Sequence, residues 1–118
     1  MTRRLLGVAA LLLALVLLMV FARNVPPNTI RWETQSEVDT FGYDIYRGTH
    51  EQGPFERINP ASVPASGTTD LPQRYKYIDT TVEWNVKYWY YIETITLTGK
   101  RERLTPVYPA RPKSRYAY

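Results

Sequence analysis

The sequence predicts an all-β fold: a small β-sandwich preceded by one transmembrane helix. Three observations carry this. Beyond residue 24, apolar and polar residues alternate over short runs bounded by turn formers, as in strands half-buried in a sheet. No stretch there has helical periodicity of useful length. Before it, a run beginning at Leu5 and ending at Ala22 holds eighteen residues without a charge or a strongly polar group.

Residues 1–23 are expected to form the anchor. A helix of eighteen residues covers roughly 27 Å, close to the hydrocarbon thickness of a bilayer. A cleaved signal peptide is the competing reading, with Val20-Phe21-Ala22 as its exit. Its apolar core is usually about 7–15 residues, shorter than this one, which favours an uncleaved anchor. Arg3 and Arg4 precede the run and Arg23 alone follows it, so the N-terminus is expected in the cytoplasm and the remainder outside.

Residues 24–29 form a proline-containing linker in which Pro26 and Pro27 prevent helix continuation. Six strands are expected after it, over residues 30–34, 43–47, 55–58, 75–79, 88–97 and 103–108. Ile30, Trp32 and Thr34 alternate with Arg31 and Glu33, and Tyr43, Ile45 and Arg47 alternate with Asp44 and Tyr46. Six short strands in about eighty residues suit a two-sheet sandwich. Residues 30–109 form this domain, and residues 110–118 are a basic, tyrosine-containing tail.

Composition excludes several functions. There is no cysteine, hence no disulfide, thiolate metal site, cysteine nucleophile or lipid-carrying cysteine. The single histidine, His50, cannot form a His–His pair. The net charge of +4 sits at the ends: residues 24–110 hold nine Lys/Arg against eleven Asp/Glu. A slightly acidic body with basic ends argues against a face that tracks phosphates, so no nucleic acid is expected.

The spacing of residues resembles a known family. "IRWETQSEVDTFGYDIYRG", from Ile30 to Gly48, is similar to the second and third strands of a fibronectin type III domain. It looks most like a bacterial extracytoplasmic variety reading Trp-Glu-Thr-x-Ser-Glu-x-Asp, then Gly-aromatic-x-Ile-Tyr-Arg. "GPFERIN", "VPASG" and "YIDTTVEWNVKYWYYIETITLTG" resemble the later segments of that variety, so the likeness runs from Ile30 to about Pro109. Two departures stand out. Trp84-Asn85-Val86 replaces the usual Pro-Gly, and residues 23–29 leave almost no room for the family's first strand. The strand at 30–34 is therefore expected to be a sheet edge.

The resemblance orients the aromatic run "YWYY". It implies that Tyr88 takes the tyrosine-corner position, its hydroxyl bonded to upstream backbone. Tyr90, Ile92 and Thr94 then follow it inward, against Trp32, Ile30, Tyr43, Ile45 and Val82. Trp89, Tyr91, Glu93 and Ile95 point outward. With Tyr46, the outward residues Trp89, Tyr91 and Ile95 form a candidate docking strip; the alternative is that Lys87, Arg47 and Arg103 cover it. Arg31 and Glu33, outward on the edge strand, are candidate partner contacts. So are Arg111, Lys113 and Arg115 in the tail, at about 1 kcal/mol each on an anionic surface; a solvated, frayed end is the alternative.

No catalytic site emerges. Glu33, Glu37 and Asp39 cluster, but without a calcium-loop pattern, and Ser36 and Asp39 read as turn formers. Ser36, Ser62, Ser66 and Ser114 lack a nucleophile's context, and His50 lies in the turn "GTHEQGP". The expectation is a non-catalytic, membrane-anchored interaction module without cofactor, metal or small-molecule substrate. It reads as an accessory subunit at the extracytoplasmic face of a complex, with a protein partner in the same membrane. The short connection supports this, since the seven residues 23–29 span at most ~25 Å. The rival is a secreted adhesive or carbohydrate-associated module released after Ala22.

Overall fold

A computed structural model describes residues 2–114, apart from the side chains of 2, 3 and 20–23. One helix, α1 (Thr2–Arg23), precedes eight strands: β1 (Asn28–Thr34), β2 (Thr40–Gly48), β3 (Glu56–Arg57), β4 (Val63–Pro64), β5 (Gln73–Asp79), β6 (Tyr88–Thr96), β7 (Arg101–Arg103) and β8 (Tyr108–Ala110). Among the residues whose side chains are described, no helix is long and apolar enough to cross a membrane. Those of α1 are residues 4–19, which reach roughly 24 Å; the apolar run from 5 to 22 ends beyond them.

The strands form two antiparallel sheets. β1 pairs only with β5 among the described residues, with Trp32 opposite Tyr75. The larger sheet has the order β3-β2-β6-β7, with β4 also on β2 and β8 also on β6. Ile45 stands opposite Ile92 at its centre. Period-two alternation gives β1 a strict pattern of buried and exposed residues from Asn28 to Thr34.

The core lies between the sheets. Ile30 and Trp32 from β1 meet Tyr43, Ile45, Tyr88, Tyr90 and Ile92 from β2 and β6, with Val82 closing one end. Ile45 and Ile92 are fully buried, each burial contributing about 1.5–3 kcal/mol. Trp32 stacks on Tyr75 at 5.6 Å and meets Tyr43 edge-on at 5.7 Å. The inward set read from the sequence is this core, except that Thr94 is only half-buried.

Several boundaries differ from the sequence reading. β1 begins at Asn28, and Val25 packs against the core, so the chain is already held within the expected linker. Val63–Pro64 adds a short strand that alternation over two residues could not reveal. The expected strand at 103–108 is two strands, β7 and β8. Between them Leu104 N–H donates to the Ile92 carbonyl at 2.8 Å, and Thr105 Oγ1 accepts from Ile92 N–H at 3.0 Å. A side chain thus takes the place of a ladder partner, next to Pro106, which has no N–H to offer.

In the Trp84-Asn85-Val86 turn, Asn85 adopts φ +60°, a left-handed conformation that asparagine tolerates better than most residues. Its N–H donates to the Lys113 carbonyl at 2.7 Å. Tyr88 Oη accepts from Glu83 N–H at 3.1 Å, a bond to backbone five residues upstream.

Candidate interaction surfaces

The outer face of the larger sheet carries the candidate strip, and the protein covers much of it itself. Tyr46 and Tyr91, opposite one another on β2 and β6, stack at 4.8 Å. Phe55 meets Tyr91 edge-on at 5.2 Å, and the Arg103 guanidinium lies 4.2 Å from its ring centre. Lys87 Nζ lies 4.9 Å from the Trp89 ring. Trp89, Tyr91 and Tyr46 are half-buried as a result. Of the three expected covering cations, Lys87 and Arg103 take that position; Arg47 does not. It points between the sheets, as its parity with Tyr43 and Ile45 requires.

Ile95 departs from expectation. It is 5% exposed and lies outside the main core cluster, so it adds nothing to an exposed strip. It pairs with Gly42, beside a β-bulge in β2. A Cβ on Gly42 would lie 2.7 Å from the Val63 carbonyl oxygen, so residues 62–63 close down on this face next to Ile95. Tyr91→Ala is accordingly expected to lower stability by about 0.5–1.5 kcal/mol, the typical worth of aromatic pairing beyond area. Urea unfolding measures this; an unchanged midpoint would mean that the cluster is not packed in solution.

Three buried carboxylates organise the body, and alternation did not reveal them. Glu37, expected in an open turn, is 3% exposed; it accepts from Tyr43 Oη, from Tyr75 Oη at 2.8 Å and from Ser66 N–H at 3.3 Å. Asp44 lies on the outer face yet is fully buried. Asn59 Nδ2 (2.9 Å), Ser62 Oγ (2.7 Å) and Arg101 Nη1 (2.9 Å) donate to it, and Arg101 also reaches Glu93 at 2.7 Å. Asp79 accepts from Tyr90 Oη (2.6 Å), Thr81 Oγ1 (2.8 Å) and Arg47 Nη1 (3.0 Å). Asn28 Nδ2 donates to Tyr90 Oη at 2.9 Å, so β1, β5, β6 and β2 share one polar network across the sandwich.

These contacts set the pH range of stability. Burial pushes the Asp44 and Asp79 carboxyls up, but their hydrogen bonds and neighbouring cations outweigh it and hold both below the ordinary 3.8. Burial first, then the bonds to Glu37 and Asp79, raises the Tyr43 and Tyr90 hydroxyls, and burial pushes Tyr108 up to about 12. A depressed carboxyl stabilises fully above its unfolded pKa and loses that contribution as pH falls through its folded value. A raised hydroxyl stabilises fully below its unfolded pKa and loses that contribution as pH rises toward its folded value. Stability is therefore expected to fall below about pH 4 and above about pH 10, near the unfolded values of these groups. Urea midpoints across pH check this; the same acid slope in Asp79→Asn would exclude Asp79 from it.

The other candidates lie at the β1 edge and in the tail. Arg31 and Glu33 are exposed on the outer face of β1, and Glu33 pairs with Arg74 of β5 at 3.3 Å. A cavity of about 420 Å³ lies among Arg31, Trp32, Glu33, Arg74 and Tyr75, and a second of about 280 Å³ borders Arg47, Phe55 and Tyr88. Arg111 is exposed, whereas Lys113 is half-buried and bridges Trp84 through its backbone. The tail is thus tied to the sandwich as far as Lys113 instead of fraying; Arg115 lies outside the described residues. The turn side chains Val38, Leu71 and Leu97, with Phe41 at the bulged start of β2, are exposed and apolar, a surface that parity cannot predict. Among the described residues, no three His, Asp or Glu side chains converge on a metal-sized site.

These features define a two-sheet antiparallel β protein with a self-covered aromatic face and, among the described residues, an unpaired outer edge on β1. No family model, curated protein or solved structure matches the chain.

Proposed function

We propose that this chain is a non-catalytic interaction module held at the extracytoplasmic face of a membrane by α1, an accessory subunit of a membrane complex. The observation that carries the reading is the outside of the helix. Leu5, Leu12 and Leu18 are 69%, 58% and 63% exposed, and so are the apolar side chains around them. A helix apolar on all sides is stable in lipid or against other helices, not in water. The fibronectin type III-like reading of the body is supported by the separation of β1–β5 from β2–β6–β7 and by the Tyr88 hydroxyl bond to Glu83. The short chain between α1 and β1 keeps the body near the bilayer and favours a partner in the same membrane.

Fractionation of cells expressing the full chain tests this. The chain is expected in the membrane pellet, resistant to alkaline carbonate and released by detergent, with residues 1–22 retained and the body open to protease from outside. A soluble chain beginning after Ala22 would overturn the anchor and support the secreted module.

A further inference from the structure

We propose that the open edge of β1 is a self-association edge, on which β1 of a second copy of this chain adds antiparallel. The occupant follows from charge. β1 has one described ladder partner, β5, and its other edge is unpaired among the described residues. On its outer face Arg31 stands opposite Lys76, a like charge, and holds no ion pair among the described residues. Glu33 is the next residue on that face.

An antiparallel pairing centred on Trp32 sets Arg31 of each copy opposite Glu33 of the other. Both pairs form at once because a two-fold interface is self-complementary. The same register sets Ile30 opposite Thr34 of the second copy, so the inner faces continue one another. Opposite charges directly across a strand pair stabilise it and like charges destabilise it.

The other edge of the small sheet lacks this property. Self-pairing of β5 about Tyr75 would oppose Arg74 and Lys76 of the two copies, the cationic protection typical of edges that must stay open. Of the two edges, only β1 attracts itself. The two β1 strands would begin roughly 27 Å apart, and a two-fold axis along the membrane normal lets both helices enter one bilayer. The inference supplies a partner for the anchored module and rests on that reading for its setting alone, since the strand pairing does not depend on the helix.

The test uses the full chain in mild detergent, with oligomeric state read by light scattering and chemical cross-linking. The wild type is expected to be a dimer. Arg31→Glu and Glu33→Arg each create two like-charge oppositions and should weaken it about tenfold or more. Mixing the two variants restores complementarity, because one copy then carries acids at both positions and the other carries bases at both, and should recover dimers; R31E/E33R should recover them alone. Both sites are exposed, and circular dichroism verifies the fold of each variant. A monomeric wild type, a dimer indifferent to both substitutions, a mixture no tighter than its components, or association only with a different protein would each overturn the proposal. Membrane fractionation of the same variants reads the anchor separately, so failure of one reading does not imitate failure of the other.

Discussion

Replacing Trp32 with alanine is expected to remove about 3–5 kcal/mol of stability, the usual cost of deleting a buried aromatic side chain. Trp32 is 6% exposed and is the only described side chain that stacks on Tyr75 while meeting Tyr43 edge-on. With Ile30 it is one of the two buried apolar side chains that β1 adds to the core cluster, so the remaining ring contacts cannot close the space. At about 4–8 °C per kcal/mol for a domain of this size, melting should fall by well over 10 °C. Small domains hold about 5–15 kcal/mol in total, so the variant sits near the unfolding threshold. Trp32→Phe separates packing from polarity. The Trp32 Nε1–H is buried without a partner, and phenylalanine removes that orphan while keeping a ring. It should therefore cost far less than alanine. Melting of Trp32→Ala within a few degrees of the parent would mean that the small sheet does not close the core.

Replacing Asp79 with alanine should cost about as much, by a different route. Asp79 is 2% exposed and its partner Arg47 has only 15% of its side chain in water. Removing the carboxylate strands the guanidinium and deprives Tyr90 and Thr81 of their acceptor. Breaking one side of a buried pair typically costs about 3–5 kcal/mol, mostly the penalty of the uncompensated charge. Part of the Arg47 side chain is wet, which places the expectation toward the lower value. Asp79→Ala with Arg47→Met removes both charges and should recover much of the loss, since an apolar replacement of a buried pair is often close to neutral. Chemical denaturation of the two variants decides it. If the double variant is no more stable than Asp79→Ala, the loss is not due to a stranded Arg47.

The aromatic run shows how far residue-level reading reached. Period two divides "YWYY" into two sets whatever the rest of the chain does, and the family resemblance indicated which set faces inward. Tyr88, Tyr90 and Ile92 are accordingly core. Arg47 was expected over the outward strip, yet it shares the parity of Tyr43 and Ile45 and lies on the inner side with Asp79. Parity could not indicate that partner, because Asp79 is 32 residues away and belongs to the other sheet. Glu37 illustrates the opposite difficulty. Its neighbours Ser36 and Asp39 are turn formers, yet Tyr43 and Tyr75 draw its carboxylate inside, and nothing local distinguishes such a glutamate from a solvated one.

By itself the sequence determined the β class, the side of the sheet on which most strand residues fall, and the apolar character of residues 5–22. These are local properties: strand geometry alternates side chains regardless of context, and hydropathy is additive along the chain. Only the tertiary structure decided that Ile95 is covered, that Asp44 is buried on an outer face, that Lys113 is tied to Trp84, and that β5 is the strand paired with β1. Each depends on which distant segment comes to lie over a given residue. The pattern of a strand states which way a side chain points, but burial and pairing are properties of whatever arrives above it.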